Sequence, residues 1–259
     1  MTNALQTPNA EKVHKDVNTT RSPRTGQINA RNRADIVTVA CFLWGQWGNG
    51  KGLQYVHRLY AGVKRHLTLP FEFVCITDRH ESNFGKGITA IEMDFPDWKW
   101  NLKKMLVYKR SLGLRGKVLL MDLDIVVVGS LDELASYRGS FATCEAAYRP
   151  GRCGGSLIGF SAGDEFLERE LYGPLLMDYD KWEEETEGSE RIYFNKRFKE
   201  MNFKPHFWQR RFPGQVVSWK VDKCWEGIPE NARIVRFHGT PRPHQVCNVA
   251  DWMQKEWKD

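Results

Sequence analysis

The sequence lacks the cysteine spacings that mark a zinc site or a redox-active pair. Six cysteines are scattered over 259 residues, with no Cys-x-x-Cys and no cluster of Cys and His. Cys41 and Cys75 lie in apolar, strand-like segments, where a buried, reduced thiol is the ordinary occupant. We therefore expect free thiols, and a reducing cytoplasm is the simplest setting for them.

Long apolar segments are also missing. No stretch approaches the roughly 20 apolar residues of a membrane-spanning helix, and residues 1–30 lack the apolar segment of a secretion signal. The sequence therefore predicts no transmembrane segment, and any role at a membrane would be peripheral. Residues 1–34 are rich in Asn, Thr, Lys and Arg, and we expect a disordered, basic tail before a single folded domain at 35–259.

Acidic residues are outnumbered by basic ones. The 38 Lys and Arg against 32 Asp and Glu give a net charge of +6 and a pI of about 9.0. A positive field of this size favours anionic partners such as nucleotides, phosphorylated glycans, nucleic acid or a membrane surface. Solubility alone also explains such a charge, so it does not choose among these partners.

The folded region begins with alternating strands and helices. Apolar runs of strand type alternate with segments whose apolar residues recur at helical spacing. This alternation predicts an α/β fold with a mixed, mainly parallel sheet flanked by helices. Strands are predicted at 36–43, 71–77, 88–93, from 117 to the aspartates at 122–124, and at 140–144, 156–161, 216–220 and 233–237. Helices are predicted at 53–67, 101–112 and, for the most part, 163–200.

The most informative stretch is the run KVLLMDLDIVVVG at 117–129, in which Asp122 and Asp124 interrupt a series of apolar residues. In an extended chain these two aspartates share one face. Like charges in apolar surroundings repel and lose hydration, so they need a compensating partner. A hard divalent cation supplies that compensation and also holds substrate phosphates. The alternative is a pair of carboxylates satisfied by Lys or Arg.

A second candidate segment is RIVRFHGTPRPH at 233–244, where a strand ends in His238 and a proline-restrained loop follows. The imidazole of His238 can ligate a borderline metal such as Mn²⁺, and the forked donors of Arg242 suit a diphosphate. A loop histidine and an exposed arginine are the alternative. Ligands of mainly parallel sheets bind beyond the carboxyl ends of the strands. Candidate residues fall at four such ends, namely Leu43-Trp44, Thr77-Asp78, Asp122 to Asp124, and His238.

The Asp-x-Asp motif at 122–124 and the late HG-x-x-(K/R)-P loop at 238–243 together resemble GT-A glycosyltransferases of the glycogenin and lipopolysaccharide-galactosyltransferase type. The resemblance is closest to bacterial and phage-encoded members, in which a Trp-Gly segment precedes a helix similar to residues 55–67. It covers about residues 36–246 and implies a GT-A, Rossmann-like fold.

The same resemblance implies roles for individual residues. It implies that Asp122, Asp124 and His238 ligate the metal, usually Mn²⁺, with Mg²⁺ as the other candidate. It implies donor contacts from Lys104 and Arg242, although Lys103 competes with Lys104 for that role. The nucleotide-binding edge is expected at Phe42, Trp44, Thr77 and Asp78.

Two positions depart from the family pattern. Gly154 stands where the family often has Asn, and Ser189-Glu190 stands where it often has an Asp-Gln pair that helps to bind sugar. The pattern identifies no catalytic residue. Four tryptophans, Trp44, Trp47, Trp98 and Trp100, fall near predicted loops, where their faces suit sugar rings or nucleobases. Core packing is the alternative for each.

The resemblance implies a metal-dependent glycosyltransferase, of hexosyl or pentosyl type. The expected donor is a nucleotide diphosphate sugar, specifically a UDP-sugar, the acceptor is a glycan or another hydroxyl compound, and the anomeric configuration is retained. Two alternatives stay open. The enzyme could glycosylate hydroxylated bases in DNA, or it could be a metal-dependent phosphotransferase or nuclease. The latter needs further carboxylates, and only Asp132 and Glu133 lie nearby in sequence.

Overall fold

The computed structural model describes residues 36–80 and 84–259, without the side chain of Trp100. The predicted tail at 1–34 lies outside the described residues. Within them, the main sheet has seven strands in the order β3-β2-β1-β4-β7-β6-β8. These strands are β1 (Val37–Leu43), β2 (Phe71–Thr77), β3 (Ile88–Glu92), β4 (Lys117–Met121), β6 (Phe141–Ala146), β7 (Arg149–Ser161) and β8 (His206–Phe207).

The first four strands of that order run parallel to one another, and β7 pairs antiparallel with both β4 and β6. The predicted mixed, mainly parallel α/β sheet is therefore confirmed. A second sheet of three strands has the order β5-β10-β9, with β5 (Ile125–Val127), β9 (Val216–Ser218) and β10 (Ile234–Arg236). This small sheet pairs Arg236, at the end of β10, with Ile125, at the start of β5 and just after the aspartates.

Helices flank the main sheet. The α-helices are α1 (Gly52–His66), α2 (Asp132–Ala135), α3 (Glu165–Leu167), α4 (Gly173–Met177), α5 (Tyr179–Thr186), α6 (Glu190–Glu200), α7 (Trp208–Arg211) and α8 (Asp251–Glu256). Short 3₁₀ helices cover Trp100–Tyr108, Arg110–Leu112 and Pro243–Gln245, and a π-helical turn covers Glu168–Tyr172.

The core has two layers because side chains alternate across the sheet. Along β4, Leu119 and Met121 pack in one layer with α1 and the small sheet. Val118 and Leu120 pack in the other layer with the 3₁₀ helix and α4 to α6. Burying each such side chain contributes roughly 1.5–3 kcal/mol, so the two layers fix the strand register on both faces.

Two local predictions need correction. The extended chain predicted through Asp122–Asp124 is instead a turn, after which the chain continues as β5 in the other sheet. The helix predicted at 101–112 is 3₁₀ in type. Helix α2 begins at Asp132, whose amide donates to Oγ of Ser130 at 3.3 Å.

All six cysteines are free, as predicted, and all lie within the described residues. Across the same described ranges, the structure contains no helix with both the length and the apolar character needed to cross a membrane.

Candidate active site

A cavity of about 1040 Å³ opens at the carboxyl end of the parallel strands. Most of the residues predicted to form a site line this one cavity, although they come from separate segments of the chain. They are Phe42, Trp44, Lys104, Asp122, Asp124, His238 and Arg242. The cavity is therefore the candidate active site.

The two aspartates reach the cavity because the chain turns where β4 ends. The amide of Asp122 donates to the carbonyl of Ser156 on β7 at 2.8 Å, which continues the pairing of the sheet. The amide of Ile125 then donates to the carbonyl of Asp122 at 3.2 Å and closes the turn. Leu123 is buried beneath it. The turn directs both carboxylates to the cavity without the shared strand face that the sequence pattern had predicted.

Asp124 is paired with an arginine. Its Oδ2 accepts a hydrogen bond from Nη1 of Arg242 at 3.0 Å, and only 9% of Asp124 is exposed. The guanidinium of Arg242 also lies over the ring of Trp47, 4.9 Å from its centroid. Burial, together with the charge of Asp122, raises the pKa of Asp124 to about 7, although Arg242 opposes that rise.

Asp122 belongs to a buried cluster with Lys104 and Glu190. Nζ of Lys104 donates to Oδ1 of Asp122 and also to Oε1 of Glu190, the latter at 3.2 Å. Burial lowers the pKa of Lys104, but the charges of Asp122 and Glu190 outweigh it and raise that pKa above its ordinary value. Lys104 therefore carries its charge permanently. Burial raises the pKa of Asp122, and Lys104 opposes this rise.

Glu190 is the most informative residue that sequence reasoning did not assign a role. It is only 4% exposed, it lines the cavity, and its Oε2 has no hydrogen-bond partner among the described residues. Gly155 makes room for it, since a Cβ at that position would lie 2.2 Å from Oε1 of Glu190. The clue in the sequence is that Glu190 stands where the family often has a glutamine.

His238 lies across the cavity on the segment after β10. The amide of Phe237 donates to the carbonyl of Asp124 at 3.1 Å, so the two segments are joined next to the histidine. Nε2 of His238 is 2.9 Å from Oγ of Ser218. Burial, followed by the charges of Lys220 and Arg236, lowers the pKa of His238, so its imidazole is neutral at pH 7.

Arg236 is a second cavity residue that sequence reasoning missed. It is 7% exposed, and its Nε has no hydrogen-bond partner within the part of the chain that the structure describes. The sequence offers the same kind of clue for Arg236 as for the aspartates, because a charged residue interrupts the apolar run at 233–237.

Two predicted residues do not line the cavity. Asp78 accepts hydrogen bonds from the amide of Gly45 at 3.0 and 3.2 Å, and it thereby shapes the loop after β1. Thr77 is buried, and its Oγ1 accepts from the amide of Arg79 at 3.1 Å. Both lie at the neighbouring strand end, and their predicted contact with a nucleotide stays a prediction.

Two of the four tryptophans line the cavity, and a third packs in the core. Trp44 and Trp47 line the cavity, and Trp44 meets Phe42 edge-on with their centroids 5.8 Å apart. Trp98 instead stacks on Tyr179 and is buried in the core. The side chain of Trp100 lies outside the described residues.

The donor types at the site suit Mn²⁺, but the arrangement seen here does not form a cation site. Lys104 is bonded to Oδ1 of Asp122 and Arg242 to Oδ2 of Asp124. Among the described residues, no group of three or more His, Cys, Asp or Glu side chains is placed to hold a metal ion. Ligation by Asp122, Asp124 and His238 stays a prediction of the resemblance.

Comparisons with known proteins identify the fold. No protein-family model matches the chain, and no curated protein sequence matches it. The solved structure of the glycosyltransferase GlyE from Streptococcus pneumoniae TIGR4 is similar, with a TM-score of 0.60 and 12% sequence identity. The match covers 85% of this chain but only 59% of that one, so this chain spans less than two thirds of the length of GlyE. This protein therefore has the fold of a glycosyltransferase.

Proposed function

We propose that this protein is a glycosyltransferase that moves a sugar from a nucleotide diphosphate sugar, a UDP-sugar, to a hydroxyl acceptor. The observation that carries the proposal is the convergence of Lys104, Asp122, Asp124, His238 and Arg242 on one cavity at the carboxyl ends of the strands. The fold, which is similar to that of a glycosyltransferase, supports it.

The charge of the cavity suits a diphosphate. Its lining carries eight Lys or Arg side chains against three carboxylates, so a bound dianion meets an excess of positive charge. Arg242 offers forked donors at the rim, and Lys104 offers a permanent charge in the interior. The cations are Lys104, Arg149, Arg152, Arg191, Lys196, Lys199, Arg236 and Arg242, and the carboxylates are Asp122, Asp124 and Glu190.

An aromatic wall suits the nucleobase. Trp44 and Phe42 form an edge-on pair that lines the cavity, and Trp47 lies beneath the guanidinium of Arg242. A planar base gains both stacking energy and burial against such rings. We therefore place the base beside Trp44 and the diphosphate beside Arg242.

Glu190 is the proposed contact to the donor sugar. Its Oε2 has no hydrogen-bond partner among the described residues, and a buried acceptor left unpaired costs about 1–3 kcal/mol. A sugar hydroxyl that donates to this oxygen would offset the cost. The carboxylate stands where the family often has a glutamine, so at this position it offers acceptor oxygens only, where a glutamine would also offer an N–H donor.

The chemical step follows from these contacts. When the bond between the anomeric carbon and the diphosphate breaks, negative charge develops on the diphosphate oxygens. Arg242, Lys104 and Arg236 are held in place around the cavity, and fixed cations stabilise such charge without reorganisation. Holding donor and acceptor together lowers the remaining barrier.

Retention of configuration, and ligation of Mn²⁺ or Mg²⁺ by Asp122, Asp124 and His238, are proposed from the resemblance alone. No step above depends on either. A phosphotransferase or nuclease would need further carboxylates, and Asp132 and Glu133, the two nearby in sequence, are engaged elsewhere. Asp132 is bonded to Thr68 at 2.8 Å, and Glu133 is bonded to Gln215.

A thermal-shift screen tests the proposal. A ligand that binds only the folded protein raises its melting temperature, so UDP-sugars should raise it more than nucleoside monophosphates do. Each ligand is measured with Mn²⁺ and with EDTA, which separates nucleotide binding from metal dependence. If no nucleotide diphosphate sugar shifts the melting temperature in either condition, the proposed function is wrong.

A further inference from the structure

A second cavity lies beside the candidate active site, at the edge strand β8. It has a volume of about 900 Å³ and is bounded by the C-terminal half of α6, by β8 and α7, and by the segment after α2. Cys153, Asn195 and Lys199 line both cavities. The two spaces therefore adjoin at these three residues.

The second cavity is strongly basic. None of the described residues that line it is Asp or Glu, and five are cationic, namely Arg138, Lys199, Lys204, Arg210 and Arg211. Arg210 pairs with Glu145 at 2.6 Å. The other four make no ion pair with an acid among the described residues. The structure thus holds several exposed positive charges together without neutralising them.

Lys117 contacts two of the residues that line this cavity, Gly139 and Tyr137. Nζ of Lys117 donates to the carbonyl of Gly139 at 3.0 Å and lies 5.0 Å from the ring centroid of Tyr137. Burial, and then the charge of Arg138, lower the pKa of Lys117 to about 8. A bound anion would relieve the repulsion between these cations.

Aromatic rings form part of the wall between the cations. Phe203 and Phe207 are half-buried and line the cavity, and the guanidinium of Arg210 lies over Phe207, 5.0 Å from its centroid. Aromatic faces pack well against the apolar faces of sugar rings. The lining therefore combines sites for phosphate with a surface for sugar.

We propose that the second cavity binds the phosphate-bearing part of a glycan acceptor, whose hydroxyl group then reaches the donor in the first cavity. This inference rests on the proposed function, because it assigns the acceptor of that same reaction. Nucleic acid also carries phosphates, and a single-stranded DNA probe in the test below distinguishes it. A phosphorylated glycan has both chemical groups that suit the lining, a phosphate for the cations and sugar rings for the aromatic side chains.

The test is direct binding to the full-length protein. The probe is an oligomannose with one terminal 6-phosphate, compared with the same oligomannose after phosphatase treatment and with a single-stranded DNA pentamer. The test variant is Lys204→Ala/Arg211→Ala, and the control is Lys64→Ala/Lys258→Ala, which removes equal charge from exposed residues that line neither cavity. Lys204→Glu alone serves as a second variant, and circular dichroism verifies that each protein folds.

We expect the phosphorylated probe to bind about 10-fold more tightly than the dephosphorylated one, with a salt-sensitive affinity. The test variant should lose most of that difference, and the control should keep it. Equal affinity for both oligomannoses, or no loss in either test variant, overturns the proposal. Tighter binding of the DNA pentamer than of the phosphorylated glycan would overturn it in favour of nucleic acid. Binding of UDP-sugar to the wild-type protein, measured separately, reports on the proposed function alone.

Discussion

Arg242 and Asp124 form an ion pair that joins the late loop to the turn after β4. Their Nη1 and Oδ2 atoms are 3.0 Å apart, although the residues are 118 positions apart in the sequence. The same guanidinium lies over Trp47 in the loop after β1. One side chain therefore connects three segments of the candidate site, and it stands where the diphosphate is proposed to bind.

Replacing Arg242 should weaken nucleotide binding more than folding. Arg242→Ala removes the forked donors, so the affinity for UDP should fall by about 10-fold or more. The free energy of unfolding should change by only about 1 kcal/mol, because the arginine side chain is 34% exposed and the buried Asp124, whose pKa is already raised to about 7, can take up a proton once its partner is removed. Isothermal titration calorimetry and urea denaturation measure the two effects. Unchanged UDP affinity would exclude Arg242 from the donor site.

Lys104 and its neighbour Lys103 provide a matched pair. Lys104→Met leaves the buried carboxylates of Asp122 and Glu190 without their shared cation, which should cost about 3–5 kcal/mol of folding stability. Lys103→Met should cost far less, since Lys103 makes no ion pair in the described part of the chain and is only half-buried. Urea denaturation of both variants decides between them. Equal losses would show that the buried cluster does not stabilise the fold.

Glu190→Gln should separate sugar binding from nucleotide binding. The amide keeps the size of the side chain but no longer offers a carboxylate oxygen at Oε2. We expect the affinity for UDP to stay within about 3-fold of wild type and that for the UDP-sugar to fall about 10-fold. The difference between the two ligands in one variant provides its own control. A parallel loss for both ligands would place Glu190 outside the sugar site.

Asp132 should make folding stability sensitive to acid. Burial opposes the effect, but hydrogen bonds from Thr68 and Ser130 prevail and lower the pKa of Asp132 below its ordinary value. A lowered pKa in the folded state gives stability that is present above the unfolded pKa near 4 and is lost as the pH falls through the folded pKa. Asp132→Asn should therefore cost about 1 kcal/mol at pH 7 and progressively less below pH 4.

The control for that experiment is Glu184→Gln, which changes an exposed carboxylate on α5. Thermal unfolding of both variants is followed from pH 7 down to about pH 3. A constant difference between Asp132→Asn and wild type across that range would contradict the assignment.

The fold was predictable where local pattern and burial agree. The strands at 36–43 and 71–77 and the helix at 53–67 match β1, β2 and α1 within one residue at each end. The sequence predicted that a strand ends at the aspartates, but it did not predict the turn at 122–124 or the strand after it, because the apolar residues on both sides suit one extended segment as well as two strands. Only the pairing of β5 with β10, across more than 100 residues of sequence, shows that the chain changes sheets there.

The sequence allowed us to predict several of the residues that form the candidate site, but not which of them contact one another. The sequence identified Asp122, Asp124 and Arg242, because charged residues in apolar runs and in proline-restrained loops are informative. It did not show that Arg242 neutralises Asp124, since that contact depends on the packing of two distant segments. Glu190 begins a surface helix with a polar sequence, so only the fold reveals that it is buried.

The most direct test of the account is release of UDP from UDP-sugars by the wild-type protein and by Asp124→Asn, each with Mn²⁺ and with EDTA. The account predicts that the wild-type protein releases UDP and that the variant, although folded, is at least about 10-fold slower, because Asp124 holds Arg242, one of the cations proposed to stabilise the charge on the leaving diphosphate. A variant that releases UDP at the wild-type rate would contradict the role of the Asp124 turn. A wild-type protein that neither binds nor cleaves any UDP-sugar would contradict the account as a whole.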